Sequence, residues 1–117
     1  MSAASAQLSG SFLSLKISII NAIAELGLRA EAAERDGDEM QRAALSHESV
    51  RLAMEATTLR RAELAAKNTE LNDLLDEMKS IAAEAKKASA CIDRTADTFT
   101  HVEELITLIG RTAFRCS

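Results

Sequence analysis

Over residues 69–113 apolar or small side chains return at alternating steps of three and four: Leu71, Leu74, Met78, Ile81, Ala85, Ala88, Ile92, Thr95, Phe99, Val102, Ile106, Ile109 and Ala113. This spacing, about 3.5 residues on average, keeps one stripe of a helix turned toward a partner helix along a coiled-coil-like seam. It predicts one long C-terminal helix that seeks another helix. It names no reaction and no substrate.

The rest of the chain agrees with an all-α class. No proline interrupts the 117 residues, and Ala, Leu, Glu, Lys and Arg, the strong helix formers, dominate beyond residue 22. With 47% hydrophobic and 27% charged residues the composition is that of a globular or coiled-coil chain rather than a disordered one. Three Phe, no Trp and no Tyr leave a thin core of many small contacts, which helix packing supplies.

Residues 1–11, MSAASAQLSGS, are small and polar and lack the positive residues that open a secretory signal peptide, so a flexible N-terminal segment is expected there. Residues 12–28 turn strongly apolar. Lys16, Asn21 and Glu25 interrupt the run, which is shorter than the roughly 18 to 20 residues a membrane span needs. On a helical wheel Ser14, Ser18, Asn21, Glu25 and Arg29 form one narrow polar stripe, and Phe12, Leu13, Leu15, Ile17, Ile19, Ile20, Ile23, Leu26 and Leu28 fill the remainder. A helix apolar around so much of its circumference must be covered on several sides by other helices or lie in a membrane interface. The central helix of a bundle is the expected reading, because an interfacial helix carries Lys and Arg along its polar stripe, and here that stripe is mostly Ser and Asn.

At Asp36-Gly37-Asp38 the first helix should close and a second open. Gly37 can take the left-handed conformation of a helix C-terminus, and Asp38 followed three residues later by Gln41 has the capping-box pattern. Helices joined this closely are antiparallel neighbours, so a helical hairpin is expected. In the second helix two stripes compete, one of Leu45, Leu52, Ala56, Leu59 and Ala66, the other of Val50, Ala53, Thr57 and Leu64. At residues 67–69 the register slips, which a break or an accommodated stutter would both explain. The expected architecture is a helical hairpin extended by the long C-terminal helix, as a three-helix bundle or an elongated hairpin. It forms a single helical domain over residues 12–113 with a short tail at 114–117.

In either arrangement the last helix outruns the hairpin. Phe99, Val102, Ile106 and Ile109 lie in its second half, and leaving four such side chains in water forgoes roughly 1.5 to 3 kcal/mol each. These four are therefore the expected partner-binding residues, covered by a second copy or by another helical protein.

Catalytic and ligand chemistry find little support. Asp97, His101 and Glu104 project from one side of a helix at metal-ligand offsets, but that side is opposite the seam, and a solvated helix face is the expected reading. No metal, cofactor or catalytic residue is expected. Cys91 and Cys116 are too far apart along a continuous helix to join, since roughly 25 residues at about 1.5 Å each exceed a disulfide's reach. Two free thiols point to a reducing compartment, so a cytoplasmic location is expected. Cys116, near the terminus, is expected to be exposed. Met40, Met54 and Met78 read as core filler. A net charge of −4 gives no basic patch for nucleic acid. With no glycine-rich phosphate loop and no nucleophile beside a base, an enzyme is not expected.

The expected function is thus a non-enzymatic helical interaction protein that oligomerises or pairs with a helical partner in a larger assembly. Two alternatives remain: a peripheral membrane binder acting through residues 12–28, and a small chaperone or regulator that sheathes a partner's helix. In size, and in its Ser- and Ala-rich start followed by helices, the chain resembles small structural or chaperone components of bacterial secretion systems.

Overall fold

Four helices account for 95% of the described residues: α1 (Ala3–Arg35), α2 (Glu39–Ala66), α3 (Leu71–Ser89) and α4 (Thr95–Cys116). The computed structural model describes residues 3–66, 71–90 and 94–116, and side chains within residues 6–66, 74–90 and 94–116. No strand occurs among the described residues, so the all-α bundle expected from the sequence is what forms.

The α1–α2 corner is built as its residues dictate. The Asp38 amide donates to the Ala33 carbonyl at 2.9 Å and the Gly37 amide to the Glu34 carbonyl at 3.1 Å, with Gly37 at φ 75°. This pair of bonds is the Schellman motif, which satisfies the last carbonyls of a helix and needs a residue free to adopt positive φ. Asp38 then opens the next helix, its Oδ1 accepting from the Gln41 amide at 3.1 Å.

The last third departs from the single long helix. α3 closes with the Ser89 hydroxyl donating to the Lys86 carbonyl at 2.9 Å and the Ala90 amide to the Lys87 carbonyl at 3.2 Å. α4 opens on Arg94, whose amide donates to Asp97 Oδ2 at 2.9 Å while its carbonyl accepts from the Asp97 and Thr98 amides. Asp97 thus serves as the inward-reaching carboxylate of a cap, three residues into the helix. α3 and α4 are antiparallel: Arg111 of α4 reaches Glu77 and Glu84 of α3, and Ser89 and His101 line one crevice.

Ion pairs tie the remaining helices together. Lys16 of α1 pairs with Glu63 of α2, and Arg51 of α2 with Glu103 of α4. α1 contacts α2 and α3, α4 contacts the same two, and α1 also touches α4 across the diagonal. The bundle is therefore two antiparallel hairpins laid together with helices of like direction side by side. Residues 67–69 lie outside the described residues; α2 and α3, on either side of them, run in opposite directions. The molecule measures 52 × 23 × 20 Å, and α1 with its 33 residues spans the long dimension at about 1.5 Å per residue.

The core is a ladder of medium side chains, in line with the near absence of aromatics. Phe12, Leu15, Leu26, Leu45, Leu52, Leu59, Leu74, Met78, Ile81, Val102, Leu105 and Ile109 are fully buried. Of the two stripes on α2, the first prevails: Leu45, Leu52, Leu59, Ala62 and Ala66 are buried, while Val50, Ala53, Thr57 and Leu64 are exposed. α3 keeps the predicted register through Leu74, Met78, Ile81 and Ala85. α4 is rotated from it, burying Thr98, His101, Val102, Leu105, Leu108, Ile109, Thr112 and Cys116. The ends are longer than expected. α1 begins at Ala3 and buries Leu8 and Ser11, and α4 continues to a buried Cys116.

Candidate interaction surface

The four residues expected to meet a partner are covered largely within the chain. Val102 and Ile109 belong to the buried core, and Phe99 and Ile106 are partly buried against it. The length mismatch behind that expectation disappears once the last third folds into two helices, because α4 then lies alongside α2 and α3.

Uncovered apolar surface occurs instead on α1, on α2 as Met40, Val50, Met54 and Leu64, and at Phe114 near the end of α4. Leu13, Ile17, Ile20 and Leu28 are 56%, 47%, 63% and 62% exposed, and Gly10, Ala24 and Gly27 share that face. Residues 10, 13, 17, 20, 24 and 27 alternate steps of three and four, the same seam periodicity that marks the C-terminal region. The opposite face holds Leu8, Phe12, Leu15, Ile19, Ala22 and Leu26 in the core. α1 is therefore apolar on two faces, and the bundle covers one.

The predicted polar stripe does not face outward as a unit. Ser18 is buried, its hydroxyl satisfied by the Ser14 carbonyl at 3.2 Å. Glu25 and Arg29 pair at 2.7 Å, and Arg29 also donates to Thr95 of α4 at 3.3 Å. These polar residues form the joint between α1 and the α3–α4 hairpin, which turns Leu13, Ile17 and Ile20 toward solvent. Beside the stripe, a groove of about 560 Å³ runs between α1 and α2, lined by Ile19, Ile20, Ile23, Ala56, Leu59 and Leu64 with Lys16, Arg60 and Glu63 at its edge.

The other sequence candidates fall as follows. His101 is buried rather than on a solvated face, and neither ring nitrogen finds a hydrogen-bond partner among the described residues. Burial pushes its pKa below the usual imidazole value, against a smaller opposing pull from Glu104. It borders a crevice of about 300 Å³ with Asn21, Ala22, Glu25 and Ser89. Asp97 is engaged as the α4 cap, and Glu104 is exposed. Among the described residues no group of three or more His, Cys, Asp and Glu is placed to hold a metal ion. Cys116 is a buried free thiol whose pKa is raised by burial, contrary to the exposed position expected, because α4 extends to it. Cys91 lies outside the described residues. Met78 fills the core, whereas Met40 and Met54 are exposed.

By length and composition alone the segment Ala6–Arg35 is apolar enough to cross a bilayer, a property it shares with core helices. The spacing of the outward stripe is visible in the sequence, but spacing alone does not separate it from the buried face of the same helix. No protein-family model, curated protein or solved structure matches the chain.

Proposed function

We propose that this chain is a non-enzymatic helical interaction protein whose contact surface is the outward stripe of α1. The observation that carries the reading is the alignment of Leu13, Ile17, Ile20 and Leu28, all substantially exposed, along one side of one helix. Single exposed apolar residues are ordinary on a soluble protein, whereas a contiguous apolar row marks a contact site. On α1 itself charged residues are sparse along it: between Gly10 and Leu28 the face carries none except Lys16 at its edge, engaged with Glu63, while Lys86 of α3 borders Gly10, Leu13 and Ile17. The test is the double variant Ile17→Lys, Ile20→Lys, studied by sedimentation at several concentrations together with circular dichroism. The wild type should associate, and the variant should keep its helicity and stay monomeric. A wild type that remains monomeric and binds neither protein nor vesicles would end the reading.

The second reading is attachment to a lipid surface through the same stripe, supported by the same exposed Leu13, Ile17, Ile20 and Leu28. Flotation with vesicles, lost in the same double variant, would select it.

A further inference from the structure

We propose that the groove between α1 and α2 binds a single-chain anionic amphiphile, a medium-chain fatty acid anion, with its carboxylate at Arg60 and its chain over Ile19, Ile23 and Leu59. The site does not rest on the outward row of α1. Its floor is Ile19 and Leu59, 2% and 1% exposed, and Ile20 at one rim is the residue it shares with that row.

Residue size opens the groove. Closely packed helices fill the space between them with interlocking side chains, and here Ala56 contributes only a methyl group to the lining. Ile20 of α1 and Leu64 of α2, both more than half exposed, line the same space from the two helices. Its volume of about 560 Å³ falls within the range of small-ligand sites, about 300 to 1,000 Å³.

Charge selects the sign of the occupant. The charged residues of the lining are Lys16, Arg60 and Glu63. Glu63 stands three residues after Arg60 on the same helix, at a spacing that allows a pair, but it is engaged by Lys16 of α1. Arg60 is exposed and has no ion-pair partner among the described residues. Lys16 and Glu63 cancel, so the lining keeps one uncompensated positive charge beside an apolar floor. An anion that carries an alkyl chain complements both.

The charge is also placed at one end. Lys16 meets Glu63 and the two helices are antiparallel, so the charged residues gather toward that pair, and Ile23 with Ala56 lies toward the other end. From Lys16 to Ile23 the groove runs about 10 Å at 1.5 Å per residue, which suits an alkyl chain of medium length lying along the helices.

Decanoate, octanoate and decanol, each kept below the concentration at which it aggregates, test the site by titration of the full chain with methyl resonances followed by NMR. Decanoate should shift Ile23 and Leu59 saturably and leave Leu13 and Leu28 in place. Octanoate, two methylenes shorter, should bind more weakly by up to about fifteenfold. Arg60→Gln should weaken decanoate about two- to fivefold, as expected for an exposed ion pair, and leave decanol unchanged. Ala56→Leu, with helicity checked by circular dichroism, should fill the groove and abolish binding of all three. Shifts centred on Leu13 and Leu28 overturn the groove as the site. Decanoate binding that is indifferent to Arg60→Gln overturns the anionic occupant, and binding that survives Ala56→Leu overturns the chain's placement. No saturable shift with any of the three overturns the inference outright and leaves association through α1 to be judged by sedimentation.

Discussion

Arg29 and Thr95 are joined by a hydrogen bond of 3.3 Å from the guanidinium to the hydroxyl, although 66 positions separate them in the chain. The bond sets the first residue of α4 beside the last third of α1. Glu25 holds the same guanidinium from the other side at 2.7 Å. Arg29→Ala should cost about 1 kcal/mol. Hydrogen exchange should quicken in the first turn of α4 with little change around Leu105. Uniform acceleration across the bundle would mean that this contact holds more than a helix end.

Two isoleucines distinguish core from surface. Ile109 is fully buried, so Ile109→Ala should cost about 2 to 5 kcal/mol and lower the thermal midpoint. Ile20→Ala, at an exposed site, should change the stability of the isolated chain by no more than about 0.5 kcal/mol. Chemical denaturation at low protein concentration gives both values. Equal losses would contradict the packing of α1.

His101 should make stability sensitive to mild acid. Its pKa is depressed in the folded chain by burial, so the unfolded chain binds the proton first as pH falls. The contribution is complete above about pH 6.5 and is lost as pH drops toward the folded-state value. Among the described residues with a resolved shift, Glu39 and Glu103, exposed and held below the usual carboxylate value by hydrogen bonds from Arg42 and Arg51, act only at lower pH, so the interval just below about 6.5 reports on His101. Melting temperature should fall across that interval in the wild type and stay level in His101→Leu. An identical slope in both would remove His101 as the cause.

Gly37→Ala should destabilise the chain by about 1 kcal/mol, because a Cβ at φ 75° meets the backbone even where surrounding space is open. Gly37→Asn should cost less. Urea titration of the three proteins orders them. A neutral alanine variant would mean that the corner relaxes away from the left-handed conformation.

Much of the fold follows from local chemistry that any window of this sequence contains. The all-α class comes from composition, and the α1–α2 corner from Gly37 and Asp38, whose backbone freedom and side-chain oxygen act within six residues. The buried row of α3 follows from its 3–4 spacing. The division between α3 and α4 was not legible in the same way. Arg94 is an unusual first residue for a helix, no glycine or proline marks the place, and the seam pattern continues across it. Its local sign was Asp97, three residues on, which read equally well as a surface carboxylate. What tertiary structure alone decided is which apolar rows are enclosed. Spacing states that a row exists, but a row is buried only where a neighbouring helix runs alongside. Folding α4 back supplied that neighbour for Val102 and Ile109. On α1, which carries two apolar faces, contact with α2 and α3 enclosed Leu15, Ile19 and Leu26 and left Leu13, Ile17 and Ile20 facing out.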